Sequence, residues 1–178
     1  MKIEFGAGSR PKEGFVACDV RQLDTIKYVC NCWEIDMHVD KDSVEEIYSR
    51  HMFEHLTFAQ GKMALTSWLK ILKSGGKVHL IMPNLEYHIR GYLDYYNERE
   101  GEVGKKHNFS HQIAGIFGWQ KETQESDQFT TVENLWDVHK SGYDEISLRG
   151  LVESHGYVNF TRHKNDPWHL DVTFFKEK

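Results

Sequence analysis

Two short stretches near the start of the chain carry residue types suited to holding a ribose. Glu4-Phe5-Gly6-Ala7-Gly8-Ser9 places two glycines directly after a strand-like run, and Asp19 closes the next such run, eleven residues beyond Gly8. Glycine permits positive φ and close backbone approach to a ligand, and a carboxylate one strand over can accept both ribose hydroxyls. Together they describe an adenosine site, although Gly-x-Gly alone also fits any tight strand-to-loop turn. A dinucleotide fingerprint would need glycine or alanine three residues past Gly8, to bring a long helix under a pyrophosphate, and an acid about twenty residues on. The chain has Pro11 and the nearer Asp19 instead, which disfavours NAD.

A second candidate is Ser49-Arg50-His51-Met52-Phe53-Glu54-His55. It follows a strand candidate and so belongs at the carboxyl ends of the strands, where open α/β sheets bind ligands. On a helix His51 and His55, four apart, would share a face. Such a pair can cap or pack, line a ligand pocket, act as a general base or bind a metal. The order His-x-x-Glu-His is not that of the zinc proteases, whose Glu directly follows the first His, and Cys30-x-Cys32 lacks the spacing and the four ligands of structural zinc. No metal is expected. His111, His139 and Tyr143 are further acceptor-side candidates, because they fall in or beside the least regular part of the chain.

These residues need a sheet to position them. Lys2–Phe5, Gly14–Asp19, Tyr28–Cys32 and Val44–Tyr48 read as four early strands, the third placing Cys30 and Cys32 on one face. From Thr57 to Lys73 the residues Met63, Leu65, Trp68, Leu69 and Leu72 repeat at helical spacing, and Gly75-Gly76 are read as the stop before a buried strand, Lys77–Met82. Leu85–Glu98 and Glu145–His155 are predicted helices, with Gly156 ending the second. Tyr157–His163 and Leu170–Phe175 form a closing hairpin-like pair. Residues 100–140, mixed in charge and rich in His, Gly and aromatics, read as an irregular insert or lid carrying acceptor contacts.

The chain resembles the Rossmann-like (class I) S-adenosylmethionine (SAM) dependent methyltransferases, and in particular short methyltransferases associated with glycan modification. The resemblance rests on Glu4–Gly8, Gly14–Val20, Ile47–Leu56 and Leu69–Val78, in that order. It implies a doubly wound, mostly parallel seven-stranded α/β sheet with an antiparallel last strand. It also implies SAM as cofactor, held by Gly6, Ala7 and Gly8 at the methionine part, Asp19 at the ribose, and Asn31, Cys32 and Trp33 by the adenine, with Glu4, Phe5 and Val20 among the cofactor-binding residues. Ser49, Arg50 and His51 would line the methyl end, with His51, His55 and His111 as candidates for acid/base catalysis. One departure is that Ser9–Glu13 leaves room for about one helical turn between the first two strands, so the first crossover is abbreviated.

The bulk numbers agree with a single domain over 1–178: 178 residues, 39% hydrophobic, 28% charged. A net charge of −5 gives no basic footprint for a phosphate backbone, and nucleic acid is disfavoured as a partner. No stretch approaches the eighteen or so apolar residues of a membrane span, and no leader is visible, so a cytoplasmic location is expected. The expected activity is methyl transfer to an oxygen or nitrogen of a small molecule or glycan. A non-catalytic SAM-binding or partner-binding domain would share every cofactor residue and is the alternative.

Overall fold

A computed structural model describes residues 1–99, 109–119, 138–163 and 166–178. Seven strands form one sheet: β1 (Lys2–Phe5), β2 (Val16–Asp19), β3 (Tyr28–Val29), β4 (Val44–Arg50), β5 (Leu72–Pro83), β6 (Tyr157–His163) and β7 (His169–Lys176), in the order β3-β2-β1-β4-β5-β7-β6. β3, β2, β1, β4 and β5 run parallel, and β7 is antiparallel to both β5 and β6. This is an α/β, Rossmann-like sheet, wound outward in both directions from β1. Four helices are described: α1 (Phe58–Ile71), α2 (Leu85–Arg99), α3 (Phe109–Phe117) and α4 (Glu145–Ser154).

Alternation along the strands sorts two faces. Ile3, Phe5, Ile47, Val78, Leu80, Val172 and Phe174 point one way, into a core shared with Ala64, Leu65, Trp68 and Ile71 of α1 and Leu148 and Val152 of α4. Phe5 stacks on Trp68 with ring centroids 4.9 Å apart. Both helices begin with a capping box, Thr57 with Gln60 and Asp144 with Ser147, satisfying amides that lack a partner within the helix.

The other face is polar. Cross-strand neighbours Glu4, Tyr48, His79 and Thr173 make one row, and Lys2, Glu46 and Lys77 make the next, tied by ion pairs of 2.9 and 2.7 Å. No helix stands in the first crossover, 6–15, or the second, 20–27, so the abbreviation predicted for the first extends to the second. Loop residues Lys12 and Phe15 lie over Tyr48 where a helix would otherwise pack.

Three sequence readings change. β3 stops at Val29, because Asn31 starts a turn in which its carbonyl accepts the Glu34 amide. Cys30 and Cys32 are therefore not strand neighbours, and the Cys30 sulfur instead lies 3.7 Å from that of Cys18. Gly75-Gly76 do not stop the helix, which ends at Ile71. They sit in a register shift at the start of β5, where Gly75 has φ +69° and a Cβ on Gly76 would meet the Lys73 carbonyl at 2.8 Å. Within the expected insert Phe109–Phe117 is helical, while 100–108 and 120–137 lie outside the described residues. Among the described residues no helix is long and apolar enough to cross a membrane.

Candidate functional site

The sheet changes winding direction between β1 and β4, and in open α/β sheets the crevice beyond that point binds ligands. The glycine turn occupies it. Gly6 and Gly8 take φ of +68° and +61°, conformations that cost other residues about 1 kcal/mol or more. The Gly6 amide donates to the Cys18 carbonyl at 3.0 Å, fixing the turn to the end of β2. An alanine Cβ at Gly6 would lie 2.6 Å from Cβ and Cγ of Met52. Gly6→Ala should therefore destabilise the fold by about 2 kcal/mol, with Met52→Ala in the same chain restoring part of the loss. Urea unfolding of the three variants checks this, and an unchanged midpoint for Gly6→Ala would contradict it.

Asp19, 6% exposed, ends β2 with its carboxylate against this turn. Oδ2 accepts the Gly8 amide at 2.9 Å and Nη2 of Arg21 at 3.1 Å, and Oδ1 accepts the Arg21 amide and Nε, each at 3.0 Å. Burial pushes the carboxyl upward, but the Arg21 and Gly8 hydrogen bonds outweigh it and hold Asp19 below its ordinary value. The guanidinium presents two N–H donors to the carboxylate much as a ribose diol presents two O–H donors. Arg21, its side chain half-buried, thus occupies both carboxylate oxygens.

The remaining sequence candidates divide by face. Phe5 is wholly buried in the core, so only its backbone is near the turn, while Ala7 is buried and Val20 exposed. Asn31 donates to Glu34, the Cys32 carbonyl accepts the Trp68 indole, and Trp33 packs half-buried against the core edge. Ser49 is buried with an unpartnered Oγ, and Arg50 lies beside Tyr48 on the polar face.

Glu4 is buried on that face and accepts the Lys12 amide. Burial raises its carboxyl above the ordinary value, against the Lys12 hydrogen bond and charge. Its folded value exceeds its unfolded one, so its contribution is fully present only below the unfolded carboxylate range and is lost as pH rises through the folded value. Glu4→Gln should accordingly be more stable than the parent at neutral pH, the gap shrinking towards about pH 4. Thermal melts at both pH values test this, and a gap of the same size at both would overturn it.

His51 and His55 do not share a helix face. His51 precedes a 3₁₀ turn, Phe53–His55, and adopts φ +50°, which breaks the i,i+4 geometry. Nδ1 of His51 lies 3.3 Å from Oε1 of Glu54, and its ring meets the edge of His169 at 4.8 Å. His169 is itself held by Asp166, through its amide at 2.8 Å and Nδ1 at 3.0 Å. His55 turns instead to the Val138 carbonyl, at 3.1 Å from Nδ1, and to the ring of His139, 5.1 Å away. His111, on α3, packs against His88 and Trp168.

Around the carboxyl ends of β4 and β5 three buried polar atoms have no hydrogen-bond partner among the described residues, Ser49 Oγ, Glu54 Oε2 and Asn84 Oδ1, and beside them the buried hydroxyls of Ser141 and Tyr143 face each other. Sequence reasoning missed Arg21, Met52, Glu54, Asn84, Asp166 and His169. The only local signal was Glu54 between two histidines and the Asp166-Pro167-Trp168-His169 run.

No family model and no curated protein matches the chain. Solved structures do match in fold. A SAM-dependent methyltransferase from Archaeoglobus fulgidus superposes with TM-score 0.58 at 10% identity, covering 98% of this chain and 85% of that one. The 1,6-didemethyltoxoflavin-N1-methyltransferase of Burkholderia thailandensis, solved with 1,6-didemethyltoxoflavin and S-adenosylhomocysteine, gives 0.57 at 12%, covering 99% and 71%. A "possible exported protein" from Bordetella parapertussis gives 0.55 at 9%, and there the chain spans 62% of the other's length. At these identities the likeness establishes the fold: the chain has the Rossmann-like sheet found in class I SAM-dependent methyltransferases.

Proposed function

We propose that this chain is a SAM-dependent methyltransferase acting on an oxygen or nitrogen of a small polar acceptor, a glycan included. The observation that carries this reading is the pairing of the glycine turn with the Asp19 carboxylate, through the 2.9 Å Gly8 bond, at the switch point of a sheet whose relatives in fold use SAM. The residues fit the group: Asp19 offers two acceptor oxygens now taken by a side chain that can leave, and Gly6 and Gly8 keep side chains out of the turn.

When bound, SAM supplies a methyl on a sulfonium that departs as a neutral thioether. The chain's own contributions are alignment, exclusion of water and proton removal from a hydroxyl acceptor. His51, half exposed and beside Glu54, would take that proton. The buried hydroxyls and amide oxygen of Ser49, Ser141, Tyr143 and Asn84 offer hydrogen bonds to a polar acceptor.

Calorimetric titration with S-adenosylhomocysteine and with NAD tests the assignment. Binding of the first and none of the second is expected, and equal or tighter NAD binding would overturn it.

A further inference from the structure

Among the described residues, one group of three metal-ligating side chains converges, and it lies outside the glycine turn and Asp19. We propose that Glu54, His55 and His139 form a binding site for a divalent first-row transition ion of the zinc type. The sequence paired His55 with His51 and led to no metal, whereas the fold pairs His55 with His139, a residue 84 positions further on.

One ligand atom from each of the three lies within 4.8 Å of the other two. Ions of this type bind imidazole nitrogen and carboxylate oxygen at about 2.0–2.2 Å, so a small closure of the side chains brings all three onto one centre. Each ring is already set for ligation. Nδ1 of His55 lies 3.1 Å from the Val138 carbonyl, and Nδ1 of His139 lies 3.1 Å from the Gly115 carbonyl. A carbonyl can only accept, so the proton of each neutral ring sits on Nδ1 and the lone pair on Nε2. Backbone carbonyls orient and tautomerise metal-binding histidines in this way.

Glu54 supplies the second, independent observation. Its side chain is 3% exposed; Oε1 faces His51, and Oε2 is buried with no hydrogen-bond partner. A carboxylate oxygen withdrawn from water without a partner is costly, and a cation ligated there would offset that cost. The backbone keeps the set together: the Glu54 carbonyl accepts the amides of Lys140 at 2.9 Å and Ser141 at 3.1 Å, clamping the His139 segment to the turn that carries Glu54 and His55. Two imidazoles and one carboxylate suit Zn²⁺ and its neighbours better than Mg²⁺ or Ca²⁺, and three protein ligands leave at least one position for water or an oxygen of a small molecule.

The site shares Glu54 with the His51 pair but uses none of the residues assigned to SAM, and its test reads metal binding rather than methyl transfer. The full chain, freed of any histidine tag and stripped with a chelator, is titrated with Zn²⁺ by calorimetry, and with Co²⁺ by visible absorption. One equivalent of Zn²⁺ should bind. His55→Gln and His139→Gln should each weaken it roughly 100-fold or more, and Glu54→Gln at least about tenfold. His38→Gln, on an exposed histidine away from the cluster, should bind as the parent does. Glu54→Gln alters a buried group and can unfold the chain, so the decision rests on His139→Gln, checked for native circular dichroism. Absence of stoichiometric Zn²⁺ binding by the stripped parent overturns the proposal, as does parent-like affinity in folded His139→Gln.

Discussion

Asp19→Ala is expected to weaken S-adenosylhomocysteine binding by about 1–3 kcal/mol, roughly 5- to 150-fold, the range for losing hydrogen bonds to a charged acceptor. The Asp19 carboxylate is buried, and the Arg21 and Gly8 hydrogen bonds hold it below its ordinary value against the upward push of burial, so a ribose diol would find an acceptor held in place by the Gly8 amide. Arg21 supplies the control. Its guanidinium and the diol would compete for the same two oxygens, so Arg21→Ala should bind the ligand at least as tightly as the parent, although it lowers stability. If Asp19 were only a structural partner of Arg21, the two variants would lose stability together and leave affinity alone. Unchanged affinity in folded Asp19→Ala would place the ribose elsewhere.

Removing the His51 ring should cost far more in turnover than in cofactor affinity, by the 10²–10⁴-fold typical of general acid/base catalysis on a hydroxyl acceptor. The residue also holds φ +50°, a backbone state in which glycine and asparagine sit more easily than most side chains. His51→Asn should therefore tolerate the backbone and offer Glu54 a hydrogen-bonding side chain, leaving thermal stability nearly unchanged while lowering turnover by that factor, whereas His51→Gly eases the backbone but leaves Glu54 Oε1 without its partner. That combination separates a chemical role from a packing one, since a packing histidine would lower stability and spare the rate per folded molecule. Single-turnover rates within about threefold of the parent, only ~0.65 kcal/mol of barrier, would remove His51 from catalysis.

The parts legible in the sequence were those set by one element alone. Ile3 and Phe5 alternate with Lys2 and Glu4, and Leu65, Trp68 and Leu148, Val152 recur at helical spacing, so β1, α1 and α4 could be read from pattern. Gly75-Gly76 misled because a helix stop and a strand irregularity both call for a glycine at positive φ. α3 was hidden because Gly115 and the polar His111 and Gln112 interrupt a nine-residue helix. At the site, Gly6, Gly8 and Asp19 were legible since backbone freedom and a strand-end acid are local properties. Beyond the nearby Glu54, the partners of His51 and His55 were not, because they come from Val138, His139 and His169, more than eighty residues away.

The thin left edge of the sheet sets how firmly half the site is held at any moment. β3 has two residues, pairs only with β2 through Cys18–Tyr28 and Asp19–Val29, and exposes Val29. With no helix packed over the adjoining crossover, few contacts oppose local opening there, and its amides should exchange with solvent at free energies well below that of global unfolding. A ligand on Asp19 binds only the closed edge, so it should slow exchange at the Lys27 and Cys30 amides, which bond to Ala17 and Asp19 of β2, while those of β4 and β5 keep their rates. In such a molecule occupancy of the site and order of the sheet edge are one equilibrium.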